Sequence, residues 1–127
     1  MTKRFVLDSS AVLAVINLEP GCENVEPKFP DAVISSANVA EILTKLAERK
    51  VSLKDALGYF LKVGLDVADF DVSLALETAR LRPLTKHLGL SLGDRACLAL
   101  AIRENATAVT ADRSWTGLDV CPIEAIR

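Results

Sequence analysis

Four acidic residues stand just beyond strand-like segments or at the starts of the helix-like segments that succeed them. Asp8 directly follows the apolar run Phe5-Val6-Leu7, and Asp112 comes just after the run Ala106 to Thr110. Glu41 lies in the helix-like segment after Ala32 to Ser35, and Asp94 opens the helix-like segment after Gly89. Gathered at one edge of a sheet, four like charges repel and rise in pKa unless something compensates them. Hard divalent cations do so well, and oxygen ligands without His or Cys favour Mg2+ or Mn2+ over zinc. Such a site can hold two cations about 3.5–4 Å apart, polarise a phosphoryl oxygen, activate a water and support the leaving oxygen. No dedicated general base is then required. Ser10 and Thr110, each two residues from an acid, could orient a carboxylate or a bound water.

Each of these residues also has a purely structural role open to it. Asp8 could cap the helix that begins at Ser9. Asp94 could complete a capping box with Ser91. Asp112 could cap the short turn after it. Glu41 lies opposite an apolar stripe and could pair with Lys45 at i+4. Ser10 could be an ordinary first-turn residue and Thr110 an ordinary β-branched strand residue.

The elements that must position the acids alternate along the chain. Short apolar runs at Phe5–Leu7, Ala32–Ser35, Leu65–Phe70, Ala106–Thr110 and Val120–Ile126 read as strands. Helices are predicted over Ser9–Asn17, Ser36–Lys50, from the cap Ser52 to Val63, over Asp71–Arg82, and over Ser91–Asn105. Gly64 stops one helix, Pro83 marks a break with helix resuming to His87, and Gly89 ends that stretch. Asp112 to Trp115 reads as a short turn or helix. The stretch from Pro20 to Asp31, with Pro27 and Pro30, reads as a loop. Val39, Ile42, Leu43 and Leu46 recur at helical spacing, and Ser91–Asn105 is apolar nearly all round, which predicts burial. Strands with little alternation, separated by helices, predict a parallel sheet covered on both faces. Chemistry in such a sheet belongs outside the carboxyl ends of its strands, where all four acids fall.

Composition narrows the class. A chain of 127 residues predicts one domain spanning 1–127. Half of its residues are hydrophobic and a quarter are charged, which is globular composition. With 15 basic against 17 acidic residues, it is no simple basic nucleic-acid coat. A single His excludes a site built on several histidines. Cys22, Cys97 and Cys121 form no C-x-x-C pair, so neither a zinc knuckle nor a redox motif is present. This usage fits a reducing cytoplasm, Cys97 is predicted to be a buried thiol, and neither a signal peptide nor a membrane span is legible. Basic residues cluster at Arg80, Arg82, Lys86, His87 and Arg95. With Arg113 beside Asp112, they could form a phosphate-contacting rim or simply a solvated face. Trp115 reads as a packing anchor. The stripe Leu53-x-x-Ala56-Leu57-x-x-Phe60-Leu61 reads as core, or as a groove or dimer face.

Taken in order, these segments resemble the PIN-domain family, specifically the VapC-type toxin ribonucleases of bacterial and archaeal toxin–antitoxin systems. The resemblance runs through Val6-Leu7-Asp8-Ser9-Ser10-Ala11, Glu19-Pro20-Gly21 and Ile34-Ser35-Ser36-Ala37-Asn38-Val39-Ala40-Glu41. It continues through Gly89-Leu90-Ser91-Leu92-Gly93-Asp94-Arg95-Ala96-Cys97-Leu98-Ala99-Leu100-Ala101 and Val109-Thr110-Ala111-Asp112, with Trp115. It covers nearly the whole chain, and the ordered set is far more specific than any isolated Asp-x-Ser.

The resemblance implies an α/β three-layer sandwich with a central parallel sheet of four to five strands flanked by helices. It implies Mg2+- or Mn2+-dependent endoribonuclease activity. The family's metal-binding acids fall on Asp8, Glu41, Asp94 and Asp112, with Asp8 and Asp94 as principal ligands and Ser10 and Thr110 as supporting hydroxyls. Arg82, Lys86, Arg95 and Arg113 are then candidates for RNA contact. A homodimer and a VapB-like antitoxin partner are also implied. The prolines at 27 and 30 depart from the family, whose members tend to carry a short helix there. The alternative reading is a non-catalytic PIN-like module that binds a protein partner.

Overall fold

The computed structural model describes residues 3–127. Five strands form one all-parallel sheet: β1 (Phe5–Leu7), β2 (Ala32–Ser35), β3 (Asp66–Ala68), β4 (Thr107–Thr110) and β5 (Ile123–Ala125). Their order across the sheet is β3-β2-β1-β4-β5. The central strand β1 pairs Leu7 with Ile34 on one side and with Val109 on the other. This register aligns the carboxyl ends of β1, β2 and β4, the edge at which the acids are expected to meet.

The described residues form six α-helices: α1 (Ser9–Ile16), α2 (Ser36–Glu48), α3 (Leu53–Val63), α4 (Val72–Arg80), α5 (Arg82–Thr85) and α6 (Leu92–Glu104). Successive residues of the central strands point to opposite faces, and both faces are covered. Leu7, Ile34 and Val109 join Val12, Ile42 and Phe60 under α1–α3. Val6, Val33 and Ala108 join Leu74, Leu98, Leu100 and Trp115 under α4 and α6. These two cores make the three-layer α/β sandwich, and they explain why β1 and β2 read as unbroken apolar runs.

Local signals set most of the boundaries. Ser52 caps α3 by accepting the Asp55 N–H, and Gly64 ends that helix in the left-handed conformation at φ 72°. Cys97 is fully buried in α6, and Trp115 is fully buried against the second core. Among the described residues no helix is long and apolar enough to cross a membrane.

Some expectations change. The segment that reads as a loop forms two 3-10 helices, Cys22–Asn24 and Glu26–Asp31. Pro27 sits at the start of the second, where its fixed φ suits a helical turn, and Val25 and Phe29 anchor the segment in the core. The helix break falls at Leu81, two residues before Pro83, because Pro83 sits in the first turn of α5, where a proline is tolerated. The third and fifth strands are shorter than predicted. The Leu53–Leu61 stripe divides, with Ala56 and Phe60 in the core and Leu53, Leu57 and Leu61 exposed.

Candidate metal centre

Asp8 is the first residue beyond β1 and only 3 % exposed. It caps α1, accepting the Ala11 N–H at 2.8 Å. Its other oxygen accepts from Thr110 Oγ1 at 2.6 Å, and Ser10 Oγ lies 2.8 and 2.9 Å from the two oxygens. The two hydroxyls are held in turn: Ser10 Oγ accepts the Ala111 N–H at 2.9 Å, and Thr110 Oγ1 accepts the Asp112 N–H at 3.0 Å. This chain of bonds locks the end of β1 to the end of β4. Burial nonetheless dominates, and it pushes the Asp8 carboxyl up to about 6 against these hydrogen bonds.

Glu41 projects from the second turn of α2. Lys45 is not its hydrogen-bonding partner. Its Oε1 accepts from Ser9 Oγ and, at 2.9 Å, from Asn38 Nδ2. The buried Asn38 amide also donates to the Gly93 carbonyl at 3.0 Å, so a single side chain ties α2 to α6. Gly93 leaves the space that the Glu41 carboxylate fills, because a Cβ there would overlap both of its oxygens.

Asp94 forms the capping box with Ser91 that its spacing predicts. Its carboxyl is also raised, chiefly by burial, with the charges of Glu41 and Asp112 adding to the effect. Asp112 is exposed and caps the 3-10 helix Arg113–Gly117 by accepting the Ser114 N–H at 2.9 Å.

The structural role open to each of the three aspartates is therefore realised, and the acids still share one place. Asp8, Glu41, Asp94 and Asp112 line a single cavity of about 300 Å³ at the carboxyl edge of the sheet, together with Ser9, Ser10, Glu19 and Lys45. Among the described residues, no three acidic, His or Cys side chains stand close enough to hold an ion as they are. Each carboxylate is turned onto a protein donor. The donor set is nonetheless one of hard oxygens with no softer ligand, and the room kept at Gly93 for the Glu41 carboxylate fits a carboxylate-lined cation site.

The four basic residues predicted for RNA contact stand outside the cavity lining. Arg95 donates from Nη1 to the Thr78 carbonyl at 3.1 Å and helps pack α6 on α4. Arg82 reaches the Leu90 carbonyl at 3.4 Å. Lys86 and Arg113 are exposed, and none of the four lines the acidic cavity. Sequence reading missed Ser9, Asn38 and Gly93 as supports of Glu41, and Glu19 and Lys45 as wall residues. A signal for Asn38 existed in its i, i+3 spacing to Glu41, and one for Glu19 in the Glu19-Pro20-Gly21 turn.

The fold and site define an α/β protein with an open parallel sheet and a carboxylate-lined cavity beyond its strand ends. Residues 5–120 match the model of the PIN domain, and the chain belongs to that family. Among solved structures, it is similar to VapBC2 from Rickettsia felis bound to a DNA fragment from its promoter. That likeness has 25% identity and a TM-score of 0.74, and covers 95% of this chain and 97% of the other. DNA-bound VapBC from Salmonella typhimurium matches at 20% identity and a TM-score of 0.74, over 98% and 99% of the two chains. The sarcin–ricin-loop-cleaving toxin VapC20 of Mycobacterium tuberculosis matches at 16% identity and 0.72, over 93% and 98%. No curated protein sequence matches the chain.

Proposed function

We propose that this chain is the toxin of a toxin–antitoxin pair, an endoribonuclease that depends on Mg2+ or Mn2+. The observation that carries this reading is the single cavity walled by Asp8, Glu41, Asp94 and Asp112 in a chain of the PIN family. The Rickettsia felis likeness, spanning both chains almost end to end, supports the VapC type and an antitoxin partner. A homodimer belongs to the same reading.

In this proposal Asp8 and Asp94 are the principal cation ligands, and Glu41 and Asp112 complete the set from the other walls. When bound, the cations would polarise a phosphoryl oxygen and lower the pKa of water at the site. The rest is done by the chain itself. Thr110 and Ser10 fix the Asp8 carboxylate and keep its ionised form within reach of neutral pH despite burial. Asn38, Ser9 and Gly93 place Glu41 on the wall facing Asp94. The caps that Asp94 and Asp112 make restrain their carboxylates at the cavity wall.

The test is cleavage of single-stranded RNA with Mg2+ or Mn2+, with excess EDTA, and with Asp8→Asn and Asp94→Asn, while circular dichroism follows the fold. Cleavage that EDTA and either substitution abolish, in chains that stay folded, is the expected result. Full activity in EDTA or in those variants overturns the reading. Partner binding by folded variants, with no cleavage under any condition, would favour the non-catalytic module.

A further inference from the structure

Among the described residues, one basic side chain lines the acidic cavity, and it is not one of the four named for RNA contact. Lys45 lines the cavity with the four acids, one turn beyond Glu41 on α2. The i+4 pairing with Glu41 that would have occupied it is replaced by Ser9 and Asn38. Among the described residues, no carboxylate lies within ion-pair distance of Lys45, whereas Arg127 is paired with Glu19 at the same cavity and Arg49 donates to Asn17 Oδ1 at 2.6 Å. Lys45 also lines a second depression along the outer face of α2, with Glu48 and Arg49. Lys45 is the residue that both hollows share. A wall of carboxylates repels a phosphodiester strand except where cations sit, so an unengaged ammonium shared by both hollows marks where the strand can pass.

We propose that Lys45 binds a backbone phosphate of the RNA beside the one being cut, so that the strand leaves the acidic cavity over α2 toward Arg49. This rests on the nuclease reading above. The ammonium is a point charge on a flexible stem, so it positions the strand without selecting a base. Its effect belongs in substrate affinity and in salt dependence.

The experiment measures binding of a fluorescein-labelled single-stranded RNA to the Asp94→Asn chain, which removes cleavage from the readout, over a series of salt concentrations. Lys45→Ala in that background should weaken binding about fivefold and reduce the slope of log affinity against log salt by about 0.7, one phosphate contact on a single strand. Lys45→Arg should restore most of both. Lys54→Ala, which removes an exposed lysine of α3 that does not line the cavity, should change neither. In the cleaving chain, Lys45→Ala should raise KM while kcat changes little. Unchanged affinity and slope in Lys45→Ala, or an equal loss in Lys54→Ala, overturns the assignment while leaving the nuclease reading intact. An Asp94→Asn chain that binds no RNA, together with a parent chain that cuts none, overturns both.

Discussion

The Glu41 carboxylate occupies the space that a side chain at position 93 would need. A Cβ built on Gly93 would overlap both carboxylate oxygens, and Asn38 bonds at once to the Glu41 carboxylate and to the Gly93 carbonyl. Glycine inside a helix costs about 1 kcal/mol relative to alanine. Its place in the first turn of α6 is therefore explained by the neighbouring acid and not by the helix.

Gly93→Ala should push Glu41 off Ser9 and Asn38 while leaving α6 formed. The expected outcome is a loss of metal-dependent RNA cleavage of about tenfold or more, the usual scale when support of a metal-site residue is lost. Stability should move by no more than about 1 kcal/mol, because the gain in helix propensity offsets much of the crowding. Cleavage assays and urea unfolding measure the two separately. A fully active Gly93→Ala chain would remove Glu41 from the chemistry.

Thr110→Val keeps the shape at the end of β4 but removes the hydroxyl that donates to Asp8 and accepts the Asp112 N–H. Mn2+ affinity, followed by calorimetry, should fall about 10- to 100-fold. Stability should fall by about 1–3 kcal/mol, the cost of buried polar groups left without partners. Equal Mn2+ affinity in the two chains would show that Thr110 does not position Asp8.

The buried Asp8 gives the metal-free chain a pH signature. Its carboxyl is raised from 3.8 to about 6, so the folded state holds more protons than the unfolded state across that window. Stability from this group is fully present below 3.8 and is lost as pH rises through about 6. The loss is on the order of 3 kcal/mol, and the raised Asp94 adds to it with the same sign. Asp71, held low by the Leu74 N–H, works the other way. Asp8→Asn isolates the effect: in metal-free buffer it should flatten the decline in urea midpoint from about pH 4 to about pH 7. A decline of the same size in Asp8→Asn would assign it to other groups.

What is legible in the sequence is local. The Ser91–Asp94 capping box, the Ser52 cap and the Gly64 stop are written within one turn of chain, and each is where its spacing predicts. The apolar runs of β1 and β2 announce a sheet buried on both faces. What is illegible depends on contacts distant in sequence. Glu41 bonds to Ser9, 32 positions away, where spacing alone favours Lys45. Asp8 is held by Thr110, 102 positions away. The segment around Pro27 and Pro30 reads as a loop because proline breaks helices in their interiors, yet here Pro27 opens a 3-10 turn that Phe29 fastens to the core. Arg95 sits beside an acid in sequence but turns toward the Thr78 carbonyl, which no spacing rule foretells.

The most direct measurement is a Mn2+ titration of the metal-free protein by electron paramagnetic resonance, which counts free ion without any need for turnover. The parent chain should bind saturably, with affinity weakened at least about tenfold in Asp8→Asn and in Asp94→Asn. Binding by the parent should also weaken as pH falls below about 6, where Asp8 takes up its proton. A folded chain that leaves Mn2+ free at millimolar concentration, or variants that bind it as tightly as the parent, would contradict a cation centre built on these acids.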